Sequence, residues 1–254
     1  MTHNPFLKAL RDGKPQIGLW VTLADALTTE VVAGAGYDWL LLDMEHSAAE
    51  ISDVTAQLQA CHGYASTAIV RPDWKDPVKV TRLLDLGAPG LLFPMVQTAE
   101  EAAAAVAATR YAPRGTRGFA GTTRASDFGR NTAYAHTVED QTAVLLQVES
   151  LQALNNIEAI ANTEGVDGIF FGPDDIAADM GLIGQPMHDD VWAQILPAAM
   201  RLMSKKMPAG TMVGDVTFAR KLVQAGFTFV ACGSDAGLLA KGADALLAQM
   251  KAPQ

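Results

Sequence analysis

The chain repeats one two-part unit along most of its length. A short run of Leu, Val, Ile and aromatic residues is followed each time by a longer, often Ala-rich run with helical spacing. The strand-like runs are QIGLWV (16–21), DWLLLD (38–43), STAIVRP (66–72), GLLFPMV (90–96), VLLQVE (144–149), GIFFG (168–172), PAGTMVG (208–214) and FTFVACG (227–233). The helical run TAEEAAAAVAATR (98–110) puts Glu near its start and Arg at its end, as the helix dipole favours. Strand–helix alternation implies a parallel sheet with right-handed crossovers. Eight such units in 254 residues predict an α/β fold, a (β/α)8 barrel, as one domain over 1–254. A doubly wound open sheet is the alternative. It would want a glycine-rich phosphate loop after an early strand, and neither GxGxxG nor GxxxxGK[ST] occurs. One Gly/Arg-rich stretch of about 25 residues (111–135) interrupts the rhythm.

Composition narrows the partners. Apolar residues make up 49% and charged residues 19%, ordinary globular usage, and the net charge is −9. A nucleic-acid binder would carry a basic stripe, and none is present. No apolar run approaches a membrane span, and the N-terminal MTHNPFLKALRDGKPQ lacks the apolar core of a signal peptide. Cys61 and Cys232 are far apart and sit in apolar runs, which reads as two buried free thiols. The expectation is a cytoplasmic protein.

A barrel of this type places its chemistry at the C-terminal ends of the strands. Strand two ends in Asp43, with Glu45 and His46 just beyond. Strand three ends in Arg71, strand five in Gln147 and Glu149, and strand six in Gly172, followed by Pro173, Asp174 and Asp175. Side chains alternate along a strand, so Leu145, Gln147 and Glu149 share one face, as do Thr67, Ile69 and Arg71. Carboxylates converging on a barrel mouth, as Glu149 and Asp175 would, repel unless a proton or cation lies between them. Oxygen ligands without nearby Cys favour Mg2+, Mn2+ or a similar ion, and two protein ligands leave positions for substrate and water. The competing role for Asp174 or Asp175 is a helix N-cap. Arg71 can clamp a substrate anion or pair with Asp43 or Glu45. His46 is a candidate general acid or base. His3, His62, His136 and His188 lack such company and read as surface residues. Trp20 in the first strand and Met212 in the seventh are further candidate substrate contacts.

Five segments carry a family likeness: DWLLLDMEH, RPDWKDPVKVTRLLDLGAPGLLFPMVQTAEEA, YAPRGTRGFAGTTRAS, LLQVES and GVDGIFFGPDDIAADMG. In that order, over nearly the whole chain, they resemble the metal-dependent (class II) pyruvate aldolases, the family of 4-hydroxy-2-oxoheptanedioate and 2-dehydro-3-deoxyglucarate aldolases. The resemblance implies a barrel of the phosphoenolpyruvate/pyruvate type, assembled as a hexamer in which the last helix packs onto a neighbouring subunit. It implies a divalent ion (Mg2+, Mn2+ or Co2+) held by Glu149 and Asp175 and chelated by pyruvate. Arg71 then polarises the keto oxygen, His46 and Asp43 handle protons, and Asp85 reaches a site across a subunit boundary. The implied reaction is reversible cleavage of a 4-hydroxy-2-oxo acid to pyruvate and an aldehyde, with His46 or a metal-bound water as the base. Gly172 and Pro173 shape a turn that lets backbone N–H groups approach the substrate carboxylate. Met44 stands where a small residue is expected and narrows the site. Arg117 and Arg124 either position substrate or bridge subunits.

Three rivals make different demands. A Schiff-base aldolase needs a strand-end lysine, and the nearest, Lys75, opens a helix after Arg71. An acyl-CoA lyase of the citramalyl-CoA or malyl-CoA type needs a coenzyme A site, for which the sequence carries no signal. A non-enzymatic oxo-acid-binding barrel needs none of the polar groups at the strand ends.

Overall fold

The computed structural model describes residues 4–252. Its strands are β1 (Gln16–Val21), β2 (Trp39–Asp43), β3 (Thr67–Arg71), β4 (Gly90–Phe93), β5 (Ala143–Val148), β6 (Gly168–Phe171), β7 (Ala209–Met212) and β8 (Phe229–Ser234). They pair in chain order, all parallel, and β8 closes onto β1 with Gln16 beside Phe229. Each strand is followed by helix, so the expected (β/α)8 barrel is what the chain forms.

Strand parity sorts the core into two layers. Leu40, Leu42, Val70, Leu91, Val144, Leu146 and Val148 face outward and pack under the helices. Trp39, Leu41, Ile69, Leu92, Leu145, Phe170 and Phe229 fill the barrel interior. The interior aromatics need room that only glycine leaves. A Cβ at Gly210 would lie 2.4 Å from the Phe229 ring.

A helix at Pro5–Arg11, for which the sequence reading assigned no element, closes the barrel floor. Asn4 starts it by accepting from Leu7 N–H at 3.0 Å, and Pro5 stands where a first-turn N–H is not needed. The Asn4 amide is itself tied to the carbonyls of Pro89 and Gln141. Phe6 enters the barrel and meets Phe229, with ring centroids 6.1 Å apart. From there Phe229–Phe170 (5.9 Å) and Phe170–Trp20 (5.3 Å) continue the aromatic contacts toward the barrel mouth.

The structure departs from the sequence reading at several places. β4 stops at Phe93 rather than Val96, because Pro94 has no N–H for the ladder and Met95 takes φ +52°. The helix expected over the run LQALNNIEAIANTEG (151–165) is two short ones, Leu151–Asn155 and Ile157–Ala161. Asn156 leaves helical geometry at the break, and its side chain donates to the Gln97 carbonyl at 2.9 Å. Cys61 is buried, with its thiol pushed up to about 11 by burial, but Cys232 is only half-buried. His188 caps helix Asp189–Ser204 through Nδ1, which accepts from Asp190 N–H, so it is not a free surface residue. His3 lies outside the described residues. Among the described residues no helix is long and apolar enough to cross a membrane. The last helix, Asp235–Lys251, leaves Leu238, Leu239, Leu246, Leu247 and Met250 exposed.

Candidate active site

β2 and β3 run in register, which sets Asp43 directly beside Arg71 at the barrel mouth. The guanidinium grips the carboxylate at two points, Nε to Oδ1 at 2.8 Å and Nη2 to Oδ2 at 2.6 Å. Glu45 Oε2 lies 2.9 Å from Arg71 Nη1, an attraction of charge rather than an aligned hydrogen bond. Arg71 is 4% exposed and its guanidinium stands 5.2 Å from the Trp20 ring. Burial opposes its charge, but Asp43 first and then Glu45 and Glu149 outweigh that and hold it protonated. The ion-pair role for Arg71 is therefore realised with both carboxylates. Asp43 is fully engaged, since Oδ1 also accepts from the Glu45 N–H at 3.0 Å. It meets His46 only through the backbone N–H at 3.5 Å. The His46 residue itself is exposed at the rim.

Glu149 follows β5 on the same face as Gln147 and is 3% exposed. Its Oε1 accepts from Met95 N–H at 2.6 Å, and its Oε2 accepts from the Gln147 amide. Burial pushes the carboxyl up to about 8; the Met95 N–H opposes this, and the charges of Asp175 and Glu45 add to it. Glu45 is raised as well, chiefly by burial. Three carboxylates thus crowd one arginine. Gln147 Oε1 is buried without a donor. This oxygen-rich, charge-deficient set fits a hard divalent cation. Among the described residues no three His, Cys, Asp or Glu side chains converge as a closed metal cage. An open, two-carboxylate site is the form these residues can build.

A cavity of about 300 Å3 joins the pieces. Trp20, Asp43, His46, Arg71, Gln147, Gly172, Pro173, Asp175 and Met212, from six strands or the loops after them, all line it. Thr22, Phe170, Asp174 and Ser234 line it too. Thr22 and Ser234 stand at or just past the ends of β1 and β8, where the strand-end rule puts site residues, but a lone hydroxyl carries no distinguishing signal in the sequence. Neither Asp174 nor Asp175 is a cap: the helix starts at Pro173 after Gly172, and both lie in its first turn. Gly172 cannot offer its N–H to a ligand, because that N–H donates to Val148 O at 3.1 Å, and Pro173 has none. The first-turn N–H groups of Asp174 and Asp175 are the donors left over. Gly172 serves instead by being small: a Cβ there would sit 2.8 Å from Glu149 Oε2.

Other expectations fall elsewhere in the molecule. Met44 does not narrow the site; it is 5% exposed and packs in the outer core under the helices. Asp85 ends helix Pro77–Asp85, away from the cavity, and pairs with Arg117 at 2.7 Å. Arg117 is buried against the rings of Tyr111 and Tyr134, and Arg124 donates to the Leu86 carbonyl at 2.5 Å. Neither arginine lines the cavity, and Arg117 keeps Nε and Nη1 buried without a partner among the described residues. Lys75 is committed, donating to the Met95 carbonyl and pairing with Glu101.

Comparison with known proteins agrees with this architecture. The family model described as HpcH/HpaI aldolase/citrate lyase matches residues 16–242. The 4-hydroxy-2-oxo-heptane-1,7-dioate aldolase of Salmonella dublin is 45% identical over 250 residues, 98% of this chain and 95% of that protein. Among solved structures, an HpcH/HpaI aldolase/citrate lyase family protein from Burkholderia cenocepacia J2315 superposes with a TM-score of 0.94 at 36% identity, covering 98% of this chain and all of that one. The HpcH/HpaI aldolase of Desulfitobacterium hafniense DCB-2 gives 0.88 at 27%, covering 97% and 96% of the two chains. With near-complete coverage in sequence and in structure, the chain belongs to the HpcH/HpaI aldolase/citrate lyase family.

Proposed function

We propose that the chain is a class II pyruvate aldolase that cleaves a 4-hydroxy-2-oxo acid reversibly to pyruvate and an aldehyde. The observation that carries this reading is the buried Glu149, crowded by Asp175 and Glu45 and hydrogen-bonded to Gln147, which lines the cavity together with Asp175 and the anchored Arg71. Glu149 and Asp175 would hold a divalent cation, with Mg2+, Mn2+ and Co2+ as the candidates. When bound, that ion supplies Lewis-acid stabilisation of charge on the substrate's keto oxygen.

The chain's own groups do the rest. Cleavage of the C3–C4 bond leaves an electron pair that becomes negative charge on the pyruvate enolate oxygen. Arg71, held rigid by Asp43 and Glu45, presents a fixed positive charge where that charge develops, so little reorganisation is needed. Asp43 thus acts by orienting Arg71. His46, exposed at the rim, is the group placed to take the C4 hydroxyl proton, and a proton returned to C3 completes pyruvate. Gln147 and the first-turn N–H groups after Gly172 and Pro173 receive the carboxylate, while Trp20 and Met212 wall the cavity.

Lys75 argues against a Schiff-base route, because its ammonium is bound to the Met95 carbonyl and Glu101. The proposal also extends to assembly. The exposed leucines of helix Asp235–Lys251 favour a homo-oligomer, with the hexamer as the expected form and that helix exchanged between subunits. Asp85, on the Arg117 side of the barrel, reaches a site only in a second copy. Solution mass by sedimentation checks this, and a monomer at micromolar concentration contradicts it.

The test of the reaction is release of pyruvate from 4-hydroxy-2-oxoheptanedioate, coupled to lactate dehydrogenase and NADH. Turnover that EDTA abolishes and Mn2+ restores is expected. Cleavage of malyl-CoA or citramalyl-CoA without cleavage of free hydroxy-oxo acids overturns the reading.

A further inference from the structure

The segment after β4 runs Pro94–Met95–Val96–Gln97 and hydrogen-bonds to Glu149 and Gln147 through its backbone. Met95 takes φ +52°, a left-handed conformation that a residue with a side chain disfavours. Its neighbours fix it there. Met95 N–H donates to Glu149 Oε1 at 2.6 Å, and Lys75 Nζ donates to the Met95 carbonyl at 2.5 Å. Val96 N–H donates to Gln147 O at 3.1 Å, and Gln97 N–H to Glu101 Oε2 at 2.8 Å. Lys75 is then anchored by the same Glu101 oxygen at 3.0 Å and stands 4.8 Å from the centre of the Trp74 ring. Its side chain is only 15% exposed.

We infer that Lys75 is a positioning residue that sets the metal-binding orientation of Glu149 through the Met95 peptide groups. The inference rests on the reading of Glu149 as a metal-holding carboxylate. The ammonium holds the carbonyl on one side of the Met95 Cα, which fixes the dihedrals that aim its N–H at Glu149. With Oε1 restrained in this way and Oε2 accepting from the Gln147 amide, the carboxylate is held in one orientation, and the lone pairs these two donors leave free are the ones a cation would take. Groups that hydrogen-bond a ligating carboxylate commonly matter to metal affinity as much as the ligand's neighbours in the coordination sphere. No other polar group of this chain performs that task for the Met95 carbonyl among the hydrogen bonds described.

The test is Mn2+ affinity of the full-length protein, read from free Mn2+ by electron paramagnetic resonance, with folding followed by circular dichroism. Glu149→Gln is the control and loses binding; if it binds Mn2+ as the wild type does, the reading of Glu149 fails, and the inference with it. Given that loss, Lys75→Met should weaken Mn2+ by about tenfold or more, and Lys75→Arg should recover most of it. Activity of Lys75→Met, low at limiting Mn2+, should return at saturating Mn2+, so the defect lies in metal affinity rather than in kcat. If Lys75→Met does not fold, Glu101→Gln keeps the lysine while removing its counter-charge and should still weaken Mn2+. Wild-type Mn2+ affinity in Lys75→Met, or in Glu101→Gln where that variant stands in, overturns the inference.

Discussion

Arg71 and Asp43 occupy matched positions on adjacent strands and meet through two parallel N–H···O bonds of 2.8 and 2.6 Å. The pair turns a strand end into a rigid cationic wall of the cavity. A lysine cannot reproduce the fork. Arg71→Lys should therefore keep the barrel folded and lower kcat by about 10^2–10^3-fold, measured by steady-state pyruvate release. A kcat near wild type would show that the two-point geometry is dispensable.

Glu149 makes the metal-free protein sensitive to alkali. Its carboxyl is raised to about 8 from an ordinary 4.5, by burial and by Asp175 and Glu45 against the help of the Met95 N–H and Arg71. Between those values the folded chain holds a proton that the unfolded chain has lost, so stability falls as pH rises through the window. Melting temperature of the EDTA-treated protein should drop from pH 5 to pH 8.5, and the gain on adding Mn2+ should grow over the same range. At pH 7 metal uptake should release a proton, visible by calorimetry in buffers of different ionisation enthalpy. A flat metal-free profile would contradict the assigned state of Glu149.

Gly172 is held to its identity by Glu149. An added Cβ would stand 2.8 Å from Oε2, so Gly172→Ala must displace the carboxylate. The expected result is a folded protein with metal affinity reduced about tenfold. Unchanged affinity would mean that Oε2 is not the oxygen that matters.

Phe6 tests the barrel floor. It is fully buried and packs on Trp39 and Phe229 at centroid distances of 5.6 and 6.1 Å. Phe6→Ala should cost about 3–5 kcal/mol in urea unfolding while leaving activity per folded molecule intact at low temperature. A loss under 1 kcal/mol would show that the N-terminal helix is only loosely seated.

The barrel was legible in the sequence because its strands are buried on both faces and each unit carries its own helix. The cavity was legible where side chains follow strand parity, as with Gln147, Glu149 and Arg71. What escaped were contacts made by backbone atoms or between distant elements. The Met95 N–H has no side-chain signature, and its partner Glu149 lies 54 positions away. For Glu45 the sequence offers a pairing with Arg71, as one of two options beside Asp43, and the fold realises both. Asp85 carries a charge that any spacing argument allows to point outward, and only the packed Tyr111–Arg117–Tyr134 group shows where it is held. The N-terminal helix is seven residues long, too short for periodicity to reveal, and stands on its Asn4 cap and interior packing.

The central claim is that Glu149 and Asp175 hold a divalent cation which, together with Arg71, stabilises a pyruvate enolate. It can be measured without knowing the natural aldehyde. Pyruvate is incubated with the protein in D2O with Mg2+, Mn2+ or Co2+, quenched with excess EDTA, and its methyl protons are followed by NMR. The account predicts deuterium exchange that requires both protein and metal and is lost in Glu149→Gln. Exchange that persists without metal, exchange at wild-type rate in Glu149→Gln, or no exchange with any of the three ions would contradict it.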